Sequence, residues 1–468
     1  MENSETEIKH SKLNMASYGS GSLSREFLSM AFTTTVFFYY EDQVGLNGWL
    51  VVLGIIIFAI YNMFNDPILG YLTNRPFKFT KKWGRRFPWL LFGGIPFGIS
   101  YFLVFIPPNV DPISGQWIIF LWLIFTACLF DTFHSLYFVN FIALFPEKFR
   151  KDKERRLASG VYVPIGVVGV ALGAIIPPII FTFGNLASYS IQGFIVFIIA
   201  LFFLFLAIPG LREDREMVEE YLITFEQAPK RESFFKTLKA ALKQRSFIVW
   251  MFLYTMYFSL INTMQNSLYY TVKYILEKPS SASTLIFAGF LIGAVISTPV
   301  WTKFAHKVNN NKKIILIAGF LLGIFVFPLL FLENYYAIVI TMILWGIGLG
   351  GFWFMIFPVM SDVIDESVVI TKKREEGIYA GFSQFFARLG IIAQALTFGI
   401  VHAVTGFVEG AAPGTQTPLA IWGIHVHLAL IPMIFIILGC IVFWKYYDLT
   451  PEKIKANNEK LKELGLKH

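Results

Sequence analysis

Long apolar runs separated by short polar connections constrain this chain more than any other feature. A helix that crosses a bilayer needs about 20 mostly apolar residues at roughly 1.5 Å each. Twelve such runs are present, at 25–42, 46–73, 87–107, 116–146, 158–183, 189–211, 246–272, 283–307, 313–333, 335–361, 377–405 and 421–446. Several exceed the bilayer thickness, which predicts tilt or extension past the membrane surface rather than another count. Composition agrees: 15% of the 468 residues are charged, against about 25% in an average soluble domain, too few to cover a globular surface. Disorder and collagen-like repeats are excluded by the apolar, aromatic-rich content. A disulfide framework is excluded too, because Cys128 and Cys440 both lie inside apolar runs and read as packing residues. The stretch up to Asn14 is polar and lacks the short apolar core of a cleavable signal.

The connections carry the orientation. One set holds Arg75, Lys78, Lys81, Lys82, Arg85 and Arg86, then Lys148, Arg150, Lys151, Lys153, Arg155 and Arg156, then Lys307, Lys312 and Lys313, then Lys372, Lys373 and Arg374. The alternate set, at 41–47, 107–116, 185–190, 333–335 and 405–419, has no Lys or Arg, and Lys278 is the exception to the pattern. By the positive-inside rule the basic set is cytoplasmic, which puts both termini inside and makes the span count even. The net charge of +8 is then mainly a topology signal, and nucleic acid is not expected as a partner, because the positive residues are dispersed over span ends.

A charged stretch at 212–245 divides the chain nearly in half. Phe234, Leu238 and Leu242 recur there at helical spacing, predicting an amphipathic helix near the membrane surface. The expected organisation is a cytoplasmic N-terminus (1–24), a six-helix bundle (25–211), this linker, a second six-helix bundle (246–446) and a cytoplasmic tail (447–468). The halves echo each other faintly, since Pro67, Gly70 and Arg75 end the second run much as Pro299, Thr302 and Lys307 end the eighth.

Ionisable groups inside lipid are costly and mark a pathway or coupling site by default. Four stand out: Glu26, Asp66, Asp131 and Arg388. Asp131 is 14 residues past Trp117 and 16 before Glu147, so it lies about 20 Å or more from either end of its helix. Arg388 is similarly deep and requires a carboxylate partner, either in a structural ion pair or in a working site. Asn62, Asp66 and Gly70 share a helix face, with Asn65 beside them, and a carboxylate among amide oxygens can take up Na⁺ or a proton. In the seventh run Thr255, Ser259, Asn262, Asn266 and Tyr269 recur every three or four residues, with Gln265 adjacent. Such a face can hydrogen-bond a polyhydroxylated solute or bond to neighbouring helices, and both readings stay open. His134, at i+3 from Asp131, reads as a packing residue. No metal-ligand cluster, phosphate-binding loop or nucleophile elbow is present in the sequence.

The run Asn65-Asp66-Pro67-Ile68-Leu69-Gly70, a basic loop, and then Trp83-Gly84-Arg85-Arg86-Phe87-Pro88-Trp89 resemble the signature of the glycoside–pentoside–hexuronide:cation symporters of the major facilitator superfamily. Further matches are Ser17-Tyr18-Gly19, the segment from Asp152 to Arg156, Met360-Ser361-Asp362-Val363-Ile364-Asp365, and Arg374-Glu375-Glu376-Gly377. The resemblance implies an all-α membrane protein of twelve transmembrane helices in two six-helix halves. It implies that Glu26, with its neighbour Arg25, and Asp131 are sugar-site positions, that Trp353 is a sugar-proximal tryptophan, and that Asp66, Asn65, Asn62 and Arg388 are cation-site positions. Asn262 and Asn266 join the expected substrate site through their helix face.

The sequence also departs from the family pattern. Asn62 stands where a second cation-site carboxylate is found, and Cys128 where a coordinating hydroxyl is found; losing a charge and a hard oxygen weakens Na⁺ binding and favours H⁺. Val163 and Ser135 replace a sugar-site arginine and a stacking tryptophan. The animal sodium-dependent lysolipid symporters share the same general motifs. The sequence therefore predicts a cation-coupled symporter of a glycoside, H⁺ favoured and Na⁺ possible near Asp66, with no other metal, no cofactor and no required oligomer. A lysolipid carrier is the alternative and a polytopic membrane enzyme the remote one. Asp362 and Asp365, the only catalytic candidates, read instead as gate or loop partners of Arg75 and other basic residues.

Overall fold

The computed structural model describes residues 9–73, 75–224, 238–239, 241–372 and 376–463. In lipid each backbone N–H and C=O must find its partner within the segment, so the apolar runs fold as helices. The chain divides into two compact units, Met1–Arg231 and Glu232–His468. The first contains α1 (Lys12–Phe38), α2 (Gly48–Thr73), α3 (Phe87–Val104), α4 (Gln116–Lys148), α5 (Asp152–Ile180) and α6 (Leu186–Leu211). The second contains α7 (Arg245–Tyr270), α8 (Ala282–Val308), α9 (Asn311–Val326), α10 (Tyr335–Thr371), α11 (Glu376–Thr405) and α12, which passes from Pro418–His425 through a π turn at Val426–Leu430 into Ile431–Tyr446. A short α13 (Pro451–Glu463) follows and packs on α10.

Eleven of the described helices are long and apolar enough to cross a membrane. The remaining predicted span is α1, which begins at Lys12 rather than near residue 25. Ser11 caps it, its side chain accepting from the Asn14 N–H at 3.2 Å. Its polar residues depress the hydropathy of the helix but find partners inside the unit: the hydroxyls of Ser17, Tyr18 and Ser24 donate to the carbonyls of Leu206 (2.6 Å), Phe141 (2.6 Å) and Ala200 (2.8 Å). Helix α1 lies against α5 and α6. Its contact with α5 is close because a Cβ at Gly169 or Gly173 would lie 2.5 Å from the carbonyl oxygen of Leu23 or Phe27. Tyr18, Leu90, Tyr137, Phe141, Phe149 and Leu204 form the core of this unit.

The connection expected at 41–47 is partly helical. Helix α1 continues into a π turn, Tyr39–Gln43, that buries Glu41 and Asp42. Helix α7 continues in the same way into a π turn, Thr271–Ile275, and both α2 and α8 carry an internal proline, Pro67 and Pro299. The internal repeat is therefore stronger in backbone geometry than in residue identity. In the second unit α7 packs on α11 and α12, and α10 packs on α8 and α9.

Of the predicted amphipathic linker helix, Phe234 lies outside the described residues. Leu238 is buried and Leu242 exposed, and the Leu242 N–H bonds the Leu238 carbonyl at 2.9 Å. A separate helix, Arg215–Thr224, precedes them. Lys373, Arg374 and Glu375 also lie outside the described residues.

Candidate functional site

In the first unit the site is built on α2 and α4, which pack together. Asn62 and Asn65 are one helical turn apart on α2, and both side-chain amides donate to the Asp131 carboxylate of α4: Asn62 to Oδ1 in a short bond, Asn65 to Oδ2 at 3.0 Å. All three residues are buried, Asp131 at 2% exposure. At the adjoining positions the Tyr61 hydroxyl bonds Thr132 Oγ1 at 2.7 Å, and Thr132 is also 2.7 Å from the Cys128 carbonyl. Residues expected in two sites, the amides with the cation and Asp131 with the sugar, thus share one hydrogen-bonded cluster. Asp66 follows Asn65 on the same helix and is half-buried. Pro67 comes next inside the helix, and its missing N–H removes the ladder bond to the Met63 carbonyl beside the cluster.

Two amide donors stabilise a buried carboxylate without cancelling its charge. Such a carboxylate is chemically able to accept from hydroxyl donors or to bind a cation. Its apolar wall is aromatic, since Phe130, adjacent to Asp131, stacks on Phe32 at 4.1 Å between centroids and lies 4.6 Å from Phe97.

A second charged pair sits on α1, where Arg25 and Glu26 form an ion pair through Nη2 and Oε1. The Arg25 guanidinium lies 4.8 Å from the Phe138 ring centroid, and Phe138 stacks on His134 at 5.5 Å. His134, also 5.4 Å from Phe97, packs among aromatic rings as expected. Asp131, His134 and Phe138, at i, i+3 and i+7, form one stripe of α4 that leads from the carboxylate to the Arg25–Glu26 pair. Gly166 of α5 faces Ser22 and Glu26, where a Cβ would lie 2.7 Å from Ser22 Oγ. Val163 is exposed and Ser135 buried.

In the second unit the α7 polar stripe is buried throughout. The Asn262 amide donates to the Phe258 carbonyl at 2.8 Å, Asn266 to the Asn262 carbonyl at 2.9 Å, and Ser259 to the Thr255 carbonyl at 2.8 Å. These bonds run back along α7, while Thr255 reaches the Phe386 carbonyl of α11 at 3.3 Å, a bond between helices. Among the described residues Asn266 Oδ1 is buried with no hydrogen-bond partner, an acceptor suited to a hydroxyl donor. Trp353 is half-buried on α10, beside Phe352, whose ring stacks on Tyr257 of α7 at 4.1 Å. Arg388, on α11, is close enough to Tyr254 of α7 to interact with it electrostatically.

At the loop end of the first unit, the Trp83-to-Trp89 motif has a direct physical role. Glu213, just past α6, accepts from the backbone N–H groups of Arg86 (2.7 Å) and Phe87 (3.1 Å) and so caps the start of α3. Gly84 (φ +91°) makes room, since a Cβ there would lie 2.2 Å from Glu213 Oε2. Burial pushes the Glu213 carboxyl above its ordinary range, partly offset by these N–H donors. Arg85 and Arg86 both bond Glu147, Arg86 at 3.0 Å. Glu154, within the matched segment at 152–156, is 2% exposed and accepts from His10 N and Nδ1 at 2.7 and 2.9 Å. Arg75 is exposed and folds over Tyr71, 4.5 Å from its ring centroid.

In the second unit Asp362 accepts from Asn311 at 2.8 Å, and Asp365 lies one turn further along α10. The buried Glu366, not anticipated from the sequence, accepts from Ser246 in a short bond, from Gln244 at 2.8 Å and from Lys453 of α13 at 2.5 Å. Glu147, Glu213 and Glu366 went unmarked because acids near span ends read as ordinary loop charges; only their proximity to the quoted motifs was a signal.

A family model described as MFS/sugar transport protein matches residues 17–450. An isoprimeverose transporter from Lactiplantibacillus pentosus is 23% identical, covering 92% of this chain and 87% of its own. The sodium-dependent lysophosphatidylcholine symporter 1 of Gallus gallus is 22% identical, covering 91% of this chain and 84% of its own. The inward-open structure of the xylose transporter XylE from E. coli superposes with a TM-score of 0.61 at 13% identity, covering 95% of this chain and 98% of that one, a likeness of fold alone.

Proposed function

The chain belongs to the MFS/sugar transport protein family, and from that premise we propose that it carries a glycoside or related sugar across the cell membrane together with a cation, by alternating access. It is a multi-pass membrane transporter with the major facilitator fold, not an enzyme. The observation that carries the reading is the Asp131 carboxylate, buried in α4 and held by Asn62 and Asn65, beside Asp66. A carboxylate fixed by two amides and walled by aromatic rings suits vicinal hydroxyls on one side and an apolar sugar face on the other. Arg25 and Glu26, at the far end of the stripe, are proposed as further substrate contacts of the first unit, and Asn262, Asn266 and Trp353 are proposed as substrate contacts of the second.

Asp66 is the proposed coupling group, assisted by Asn62 and Asn65, and Arg388 is proposed as a further cation-site position on α11 of the second unit. With one carboxylate on this face of α2, a proton fits better than Na⁺. The basic loops support a cytoplasmic placement of both termini, with Arg75, Asp362 and Asp365 at the cytoplasmic face.

The test is uptake of labelled glycosides into proteoliposomes under imposed H⁺ or Na⁺ gradients. Accumulation driven by a gradient, and lost in Asp66→Cys, is expected; gradient-driven accumulation retained in that variant refutes the coupling role. The lysolipid symporter relative supports a second reading, an acyl-chain substrate in this Phe-rich interior. Competition by lysophosphatidylcholine with none by sugars would establish it in place of the first.

A further inference from the structure

The connection between α2 and α3 carries positive charge that the first unit does not answer. Arg75, Lys78, Lys81 and Lys82 fall within eight residues, and no Asp or Glu occurs from residue 67 to residue 110. All four side chains are exposed. Among the described residues none of them has a carboxylate partner: Arg75 bonds the Tyr71 hydroxyl and lies over that ring, and Lys82 lies 5.7 Å from the Trp83 ring centroid. Arg85 and Arg86, a few residues on, are both bonded to Glu147. The helix Arg215–Thr224 packs on the short helix Thr80–Trp83, but its Glu216 pairs with Lys9. Four like charges gathered this closely repel one another and attract an anion from outside the chain.

The neighbouring apolar surface fixes the level at which they sit. Ile68, Tyr71 and Leu72 of α2 and Phe92 of α3 are all exposed, a surface suited to lipid rather than water. Arg75 follows Leu72 by three residues, so the cations begin within about 11 Å of where that surface stops. Aromatic rings bridge the two zones. Phe77 and Phe79 stack at 5.3 Å, both meet Trp89 edge-on at 5.2 and 5.5 Å, and Trp89 lies 6.4 Å from Phe92. Phe77 and Trp83 are exposed at the loop end of this series.

The loop is also shaped. The Phe77 N–H donates to Thr80 Oγ1 at 2.9 Å, and the Thr80 N–H donates to the Phe77 carbonyl at 2.9 Å. This reciprocal pair closes the turn that carries Lys78 and leads into the helix carrying Lys81 and Lys82. Ammonium groups beside exposed rings, at the edge of a lipid-facing surface, match the two parts of a phospholipid: the phosphodiester meets the cations and the upper acyl chain meets the rings.

We propose that the loop from Arg75 to Trp83 binds anionic phospholipid, with Lys78, Lys81 and Lys82 on the phosphodiester and Phe77 and Trp83 against the acyl chain. This surface is separate from Asp66 and Asp131 and does not depend on the identity of the substrate.

The test is native mass spectrometry of the full chain in detergent micelles, titrated with phosphatidylglycerol or with phosphatidylcholine of the same acyl chains. The first phosphatidylglycerol is expected to bind the more tightly, by a margin that shrinks as salt is raised. One basic residue near a membrane surface contributes about fivefold, so the triple variant Lys78→Gln, Lys81→Gln, Lys82→Gln is expected to lose that preference by on the order of 100-fold. The triple variant Lys455→Gln, Lys460→Gln, Lys462→Gln, which removes the same charge from exposed positions of α13, is expected to keep it. No preference in the unsubstituted chain, or a preference retained in the loop variant, overturns the proposal. Inorganic phosphate that displaces phosphatidylglycerol at equal concentration overturns the lipid assignment in favour of a soluble anion. Poly-glutamate that binds more tightly than phosphatidylglycerol, and is lost in the loop variant, overturns it in favour of an acidic protein. The measurement needs no transport, so its failure is distinct from failure of the sugar reading.

Discussion

Gly84→Ala tests whether the glycine of the Trp83-to-Trp89 motif exists to admit the Glu213 cap. Two costs follow from the structure. Gly84 has φ +91° and ψ 173°, a region essentially reserved for glycine, where another residue costs about 1–3 kcal/mol. In addition, the new Cβ would lie 2.2 Å from Glu213 Oε2 and 2.9 Å from its Cδ, so the carboxylate must withdraw. The N–H groups of Arg86 and Phe87 then lose their acceptor, and hydrogen bonds to a charged group are worth about 1.5–3 kcal/mol each. Because the site is half-buried and water recovers part of this, roughly half of the loss remains, for a total of about 3–5 kcal/mol. The assay is denaturant unfolding of purified protein in mixed micelles, for Gly84→Ala, Glu213→Ala and the double variant. In the Glu213→Ala background the glycine substitution is expected to cost only its backbone share, leaving a coupling of about 1.5–3 kcal/mol between the positions. Equal costs in both backgrounds would falsify the packing rationale, and an unchanged midpoint in Gly84→Ala alone would refute both parts.

Asp131→Asn sets an amide against the Asn62 and Asn65 amides and orphans at least one buried donor, so stability is expected to fall by about 1–3 kcal/mol and the thermal shift on adding a transported glycoside to disappear; an undiminished shift would remove Asp131 from the site. Glu213 has its carboxyl raised by burial, so the folded state holds its proton longer than the unfolded state, and stability falls as pH rises from the ordinary carboxylate value through the raised one. Glu213→Gln is expected to remove that part of the pH profile of thermal unfolding, and an unaltered profile would show another group to be responsible. Lys453→Ala is expected to cost less than about 1 kcal/mol, because the side chain is 38% exposed and Glu366 keeps two other donors. Glu366→Ala removes the acceptor of Ser246 and one of the three acceptors of Gln244 as well, and is expected to cost about 2–3 kcal/mol. Comparable midpoints for the two variants would contradict that ranking.

What could be read from sequence, and what could not, divides along one physical line. Average hydropathy reports how apolar a segment is, and it marks twelve runs, eleven of which coincide with described helices long and apolar enough to cross a membrane, because their polar atoms are few. It misplaced the start of α1, where Ser17, Tyr18 and Ser24 are polar by type yet donate their hydroxyl protons to carbonyls of α4 and α6. The same line runs through the candidate site. Asp131, Asn62 and Asn65 were each visible as polar groups at membrane depth, but their bonding to one another was not, since 66 to 69 residues separate donor from acceptor. The expectation of two sites for the amides and the carboxylate comes from the family resemblance, which assigns them to different ligands. His402 and His427 are the extreme case, since their Nε2 atoms lie 3.3 Å apart although 25 residues separate them in the chain. A buried polar residue in a membrane chain therefore has a function only in relation to its partner. Glu213, accepting from two backbone N–H groups at the start of α3, is a helix cap, whereas Asp131, accepting from two side-chain amides of α2, ties one helix to another.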